Sequence, residues 1–259
     1  MQDPSKSRAD ARVFFISGID TSVGKTVATG LMSRFFRARG VDHCTVKMVQ
    51  TGCDGFSEDL DAHRVIAGLP RLPEDDEGLT APQIFRFPAS AALAARLEGR
   101  KVDLDAIDRA VAECAHRRRA VLVEGAGGML VPLAGDLLAA DFAAARGWPL
   151  VLVSCGRLGS INHTILSLEA AASRRMRVAG VVWNGHPGAD PAIDEDARAE
   201  TLRHLRRLGF PEVLVRVPWT PAGMTPPDID FSPLFPPELF NHGTHGTHRS
   251  APASDHLPA

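Results

Sequence analysis

Short apolar runs recur along the chain, each long enough for one buried strand. They fall at Val13–Ile16, Cys44–Val49, Ala120–Val123, Pro149–Ser154, Val178–Trp183 and Val213–Val217. The runs are nearly continuous rather than alternating, the mark of strands covered on both faces. Amphipathic stretches lie between them: Val27–Arg39, Ala89–Glu98, Leu104–His116, Leu137–Arg146, Ile161–Ser173 and Ala192–Leu208. Strand alternating with helix predicts the α/β class, here one domain with a doubly wound, mostly parallel sheet and helices on both faces. Crossovers in such a sheet are right-handed, and ligands bind beyond the carboxyl ends of the strands. The chemistry is therefore expected in the segments that follow each strand.

The pattern divides the chain. Residues 1–11 read as a flexible leader, 12–219 as the α/β domain and 220–259 as a largely disordered tail. The Pro- and acid-rich stretch Leu69–Phe87 reads as an irregular excursion, and no internal repeat is visible. Past Asn241, histidines recur at positions 242, 245 and 248. That spacing could hold a metal, but without apolar neighbours to fix a geometry it reads as a polar tail.

Composition narrows the classes. Hydrophobic residues make up 44% of 259, enough for a large core, and the net charge is −2. With no long basic run, nucleic acid is not an expected partner. His116–Arg119 is basic, but it closes a helix, where cations suit the dipole. Cys44, Cys53, Cys114 and Cys155 form no Cys-x-x-Cys pair, which suits a reducing compartment. Met1–Arg12 lacks the apolar core of a signal peptide. No apolar run approaches the ~20 residues that span a bilayer. A cytoplasmic protein with no membrane partner is expected.

Gly18-Ile19-Asp20-Thr21-Ser22-Val23-Gly24-Lys25-Thr26 joins the first strand to the first helix. A glycine-rich turn there, ending Gly-Lys-Thr, is a phosphate cradle. Backbone N–H groups and the positive helix end face the anion. Lys25 would reach the β- and γ-phosphates, and the Thr26 hydroxyl would meet Mg²⁺. Five residues separate the two glycines, one more than the usual P-loop pattern.

Later strands end in further candidates. Lys47 leaves the second strand and can neutralise charge on a transferring phosphoryl group, with Thr51 at the same mouth. Ser57 can cap a helix, and either Asp59 or Asp61 could supply a carboxylate to Mg²⁺. Glu124 ends an apolar strand, where a carboxylate is costly unless it meets a cation, so it reads as a metal ligand. Gly125, Ala126, Gly127 and Gly128 follow it and allow close backbone approach. Gly159, Ser160, Ile161 and Asn162 open a helix as a second anion-friendly terminus, unless Ser160 merely caps it. Asn184 and Gly185 end another strand; the amide can pair with a purine edge, although Asn-Gly is also a common turn.

Five ordered motifs resemble dethiobiotin synthases: Gly-x-Asp-Thr-x-Val-Gly-Lys-Thr, Lys-x-Val-Gln-Thr-Gly, Val-Glu-Gly-Ala-Gly-Gly, Leu-Gly-x-Ile-Asn-His and Val-Pro-Trp. The resemblance covers roughly Val13 to Trp219 and includes the longer phosphate loop. It implies a P-loop enzyme that uses ATP and Mg²⁺ to join CO₂ to 7,8-diaminononanoate, closing a cyclic urea. A carbamate would form, become a carbamic–phosphoric anhydride and lose phosphate to the second amine. On this likeness, residues 22–27 (Ser22, Val23, Gly24, Lys25, Thr26 and Val27) wrap the phosphates. Thr26, Asp59 and Glu124 hold Mg²⁺, Asp59 being preferred to Asp61 on spacing. Lys25 and Lys47 stabilise the moving phosphoryl group and the carbamate. Thr21 and Thr51 touch the substrate. The likeness also implies a homodimer, in which Gly159–Asn162 bind the substrate's carboxylate across the interface. Asn184, Gly185, Pro218 and Trp219 hold adenine.

Some positions depart from the family's usual pattern. Met48 replaces proline, Ser90-Ala91-Ala92 replaces Ser-Pro-His, and Arg157 and Gly185 replace lysine and aspartate. Partition-type switch ATPases share the fold but carry an early lysine in the phosphate loop, where this chain has Ile16-Ser17-Gly18-Ile19. Cobyric-acid-type synthases need a glutaminase domain for which 259 residues leave no room. A paralogue that only binds nucleotide is the remaining alternative.

Overall fold

The computed structural model describes residues 13–221, 224 and 226–241. The leader at 1–11 and the histidine-bearing stretch from 242 on lie outside these residues. The chain starts with β1 (Val13–Gly18), α1 (Lys25–Ala38) and β2 (His43–Lys47). Next come β3 (Gln50–Thr51), α2 (Glu58–Ala67), α3 (Pro73–Asp76), β4 (Ile84–Phe85) and α4 (Ala91–Leu97). α5 (Leu104–Arg117) leads into the long β5 (Ala120–Gly128). A small hairpin of β6 (Pro132–Ala134) and β7 (Leu137–Leu138) precedes α6 (Ala139–Ala145) and β8 (Leu150–Cys155). α7 (Ser160–Ser173), β9 (Val178–Asn184), α8 (Pro191–Arg207) and β10 (Leu214–Val217) complete the regular part.

All six apolar runs become strands of one parallel sheet, in the order β10-β9-β8-β1-β5-β2. β1, β2 and β8 are buried at every position, as their lack of alternation required. The chain winds to one side of β1 through β2 and β5, then to the other through β8, β9 and β10. β1 lies at that reversal, where an open sheet leaves a crevice beyond the carboxyl ends.

Local chemistry fixes the helix ends. The Ser57 hydroxyl accepts from the Leu60 N–H at 3.3 Å, and Glu58, Asp59 and Asp61 crowd the positive end of α2. Asp103 caps α5 in the same way, accepting from the Ala106 N–H at 2.9 Å. Arg117 and Arg118, at the end of α5, are taken up in ion pairs with Glu77, Glu113, Glu74 and Asp42. Leu137–Leu138, expected as the start of a helix, instead pair with β6, and α6 begins at Ala139. The Asp141 carboxylate accepts from the Leu138 N–H at 3.0 Å and sets that start. No helix of the described residues is long and apolar enough to cross a membrane.

Packing continues past Trp219. Phe231, Leu234, Phe235 and Leu239 are buried in the same core as β1 and α1. The Phe235 ring lies 4.9 Å from Phe14 and 4.6 Å from Phe36, and Phe231 lies 6.0 Å from Phe35. Arg34 donates to the Pro226 carbonyl at 2.9 Å, and Arg119 donates to the Asn241 carbonyl at 2.7 Å. The expected tail therefore includes a strap, roughly 226–241, that belongs to the packed unit. Phe235→Ala should lower stability by about 3 kcal/mol in urea unfolding. A loss below about 0.5 kcal/mol would mean the strap merely rests on the surface.

Candidate active site

The phosphate loop carries backbone that few residues adopt. Ser22 has φ 56° and Gly24 has φ 85°. A Cβ on Gly24 would sit 2.4 Å from the Asn184 amide nitrogen, so glycine is required there twice over. Gly24 caps α1 without any side-chain hydrogen bond, and no acid lies in the first turn. The first N–H groups of α1 therefore stay free for an anion. The Lys25 ammonium folds back onto the Asp20 carbonyl at 2.8 Å.

Register brings the charged groups together. β2 and β5 pair so that Lys47 lies directly beside Glu124. Lys47 Nζ is 2.8 Å from Glu124 Oε1 and 2.6 Å from Asp59 Oδ2. Thr26 Oγ1 donates toward Asp59 Oδ1 at 3.0 Å and Glu124 Oε1 at 3.1 Å. Asp61, the alternative carboxylate, is exposed and lines a separate cleft with Arg71 and Asp75. His63, not singled out in the sequence, stands behind Glu124 at 2.8 Å. Its signal was present: Asp59 and His63 are four residues apart on α2, so they share one face.

Electrostatics follow from burial. Glu124 has no exposed surface. Burial pushes its pKa up, but Lys47 and the hydrogen bond from His63 outweigh that and hold the carboxyl well below the usual range. Burial pulls the Lys47 ammonium down, and Glu124 and Asp59 more than restore it, leaving it raised. Lys25 lacks such a contact. Burial, reinforced by the neighbouring charge of Lys47, lowers it to about 8, against the partial support of Glu124.

On the other side of the loop is a cleft of about 730 Å³ lined by Ser22, Val27, Asn184, Gly185, Pro218 and Trp219 among others. The Asn184 amide nitrogen donates to the Val23 and Gly24 carbonyls at 2.7 and 3.2 Å. Its donor is therefore already spent, and its buried Oδ1 has no partner among the described residues. Gly185 has no room for a side chain, because a Cβ would meet the Trp219 nitrogen at 2.5 Å. Among the described residues, the remaining candidates make no hydrogen bond or ion pair with the Asp59 or Glu124 carboxylate, although the Gly125 carbonyl accepts from Lys47 at 3.4 Å. Thr21 is exposed and lines a groove with Leu130, His163 and Leu166, and Thr51 ends β3. Gly125, Ala126 and Gly127 extend β5 beyond Glu124; a Cβ on Gly125 would meet the Phe15 ring at 3.1 Å. Gly159 caps α7 at φ 90°, whereas the Ser160 side chain is buried and provides no cap. Arg157, just before α7, pairs with the Asp20 carboxylate and ties this second helix terminus to the phosphate loop.

Comparison with known proteins shows the family. A family model described as an AAA domain matches residues 12–226. The ATP-dependent dethiobiotin synthetase BioD of Chlorobaculum tepidum is 48% identical over 204 residues, covering 79% of this chain and 85% of that protein. BioD 2 of Pasteurella multocida is 41% identical over 207 residues, 80% of this chain and 97% of that one. The chain belongs to the dethiobiotin synthetase family. Among solved structures, a ParA family ATPase from Chlorobium tepidum covers 81% of this chain and 85% of its own, at 13% identity and a TM-score of 0.47, too loose an overlap to add to the argument.

In this dethiobiotin synthetase family member, Lys25 is held charged against its surroundings. Its folded pKa of about 8 lies below the unfolded value near 10.4. The folded state therefore carries the full penalty below pH 8, and the penalty fades as pH rises from 8 toward 10.4. Lys25→Met should raise stability at pH 7 by on the order of 2 kcal/mol, and the gain should shrink above pH 8 in thermal unfolding. A destabilised Lys25→Met would mean the Asp20 contact outweighs burial.

Proposed function

We infer that this chain catalyses the reaction its relatives are named for: ATP-dependent closure of the cyclic urea of dethiobiotin from 7,8-diaminononanoate and CO₂. The observation that carries the reading is the meeting of Thr26, Lys47, Asp59 and Glu124 within 3.1 Å at the mouth of the phosphate loop. Attack of a carbamate on a triphosphate brings anions together. Two lysines and the uncapped N-terminus of α1 would face that charge as it develops.

The donor set suits Mg²⁺. Two carboxylates and one hydroxyl converge, and no group of three or more His, Cys, Asp and Glu suited to a metal occurs among the described residues. Such a half-shell leaves the rest of the octahedron to phosphates and water. Thr26, Asp59 and Glu124 would hold the ion, which supplies neutralising charge to the phosphates when bound. Lys25 follows the phosphates from the start of α1. Lys47 steadies the carbamate and the moving phosphoryl group, and the Gly24–Thr26 amides fix the triphosphate. Adenine fits the cleft by Asn184 and Trp219. There the free Oδ1 of Asn184 accepts a hydrogen bond, which matches the exocyclic amine of adenine.

A second copy of the chain would complete the site. Leu158 is 85% exposed beside the Gly159 cap, and Leu130 and Leu166 are exposed along the groove with Thr21. An apolar rim next to an anion-binding terminus supports a homodimer in which Gly159, Ser160, Ile161 and Asn162 take the carboxylate of the substrate. Four buried, unpaired cysteines suit the cytoplasm.

Incubation with MgATP, bicarbonate and the diamine should yield the cyclic urea by mass spectrometry. ADP release indifferent to the diamine would favour a nucleotide switch and defeat the reading. Lys47→Ala should cut kcat by about 100-fold or more while calorimetry finds nucleotide affinity little changed; full turnover would remove Lys47 from the chemistry. Asp59→Ala should raise the Mg²⁺ concentration needed for half-maximal rate, and Asp61→Ala should not. The reverse order would move the metal ligand to Asp61.

A further inference from the structure

The two oxygens of Glu124 have different company. Oε1 faces Lys47 and Thr26 at 2.8 and 3.1 Å. Oε2 meets His63 Nε2 at 2.8 Å. His63 has no exposed surface, and its Nδ1 lies 3.0 Å from Thr45 Oγ1. Arg64 Nη1 donates to the same Thr45 oxygen at 2.8 Å. The guanidinium is itself clamped by Asp75, with Nε to Oδ2 at 2.9 Å and Nη2 to Oδ1 at 2.6 Å.

Counting hydrogens orients this chain of contacts. A guanidinium only donates, so Thr45 Oγ1 accepts from Arg64. The one proton of the Thr45 hydroxyl must then go to His63 Nδ1, its remaining partner among the described residues. A buried hydroxyl proton left without an acceptor would cost about 1–3 kcal/mol. Nδ1 is thus an acceptor, and the N–H of the ring sits on Nε2, aimed at Glu124 Oε2.

A buried histidine is commonly just a satisfied core group. Here its donor is spent on a carboxylate that opens into the site. Asp59, one turn earlier on the same face of α2, enters the site directly. We propose that His63 is a positioning residue, held by Asp75, Arg64 and Thr45, which ties up Oε2 so that Glu124 offers the bound cation Oε1 alone. This rests on the function proposed above, in which Glu124 meets Mg²⁺. A carboxylate held to one oxygen suits the strict octahedron of Mg²⁺; one free to turn can grip Ca²⁺ through both oxygens. His63 is therefore assigned to metal choice as well as metal affinity.

The test measures Mn²⁺ binding by electron paramagnetic resonance, with a non-hydrolysable ATP analogue present, and Ca²⁺ as competitor. Calorimetry with the same analogue in EDTA measures metal-free binding. His63→Leu should weaken Mn²⁺ by about tenfold or more, as losing the partner of a ligand does. It should also make Ca²⁺ a better competitor and leave metal-free analogue binding little altered. His63→Gln, which keeps an N–H for Oε2, should recover much of the loss. Thr45→Val, which leaves His63 in place but unoriented, should show a smaller loss in the same direction. A folded His63→Leu protein with unaltered Mn²⁺ affinity and Ca²⁺ competition would overturn the proposal. Should His63→Leu not fold, unaltered Mn²⁺ binding by Thr45→Val would do the same. If the unsubstituted protein binds Mn²⁺ and analogue but never makes the cyclic urea, the proposed function fails while the His63 assignment is still decided by Mn²⁺. If it binds neither, both fail.

Discussion

A carboxylate without a water-exposed atom organises this molecule. Glu124 lies at the end of a central strand with no exposed surface, and an isolated charge there would be very costly. It is tolerated because three elements converge on it. β2 supplies Lys47 by strand register, α1 supplies Thr26, and α2 supplies His63. Asp59, also from α2, balances Lys47 from the other side. Removing one member of such a buried set typically costs about 3–5 kcal/mol, because the rest are left unpaired. The β2–β5 register and the seating of α2 on α1 are therefore fixed by the same contacts that make the site.

The nucleotide side is held by a different principle. The left-handed backbone at Ser22 persists because its surroundings over-determine it, and Gly24 supplies the next such conformation without strain. Asn184 donates to two loop carbonyls, and Arg157 grips Asp20 from the start of α7. The strap at 226–241 locks α1 from behind through the Phe14, Phe35 and Phe36 rings. The phosphate loop is thus braced at its floor, its side and the helix it opens. Backbone donors fixed in this way favour electrostatic stabilisation of developing charge.

Much of this was legible in the residues. Near-continuous apolar runs could only be buried strands, and all six joined one sheet. Glu124 was visible as a costly charge at a strand end and Lys47 as a lysine leaving another; that they neutralise one another needed the register. Asp59 and Asp61 could not be separated by residue type, since both suit the first turn of α2. Rotation about the helix separates them, turning one inward and the other to solvent. His63 was passed over because a lone histidine carries little signal without knowing what its helix faces. The strap was read as tail because prolines at 226, 227, 233, 236 and 237 mask its pattern. Phe231, Phe235 and Phe240 were the better guide: rings spaced this way in a polar stretch need a surface to cover.

Charge balance explains how ammonium groups and carboxylates share one buried site. Lys25 and Lys47 face Asp59 and Glu124, two ammonium groups against two carboxylates, so the buried set is neutral as a whole. The balance is uneven in detail. Lys47 takes both carboxylates at close range, while Lys25 has only a backbone carbonyl and is pulled down by burial. The under-supported cation is therefore the one at the helix start, where a triphosphate would lie. An arriving anion relieves Lys25 instead of competing with an existing partner. Under the proposed function, a cation arriving with it would meet the already desolvated carboxylate of Glu124. The unfavourable burial of Lys25 is thus the same term that would favour nucleotide when it comes.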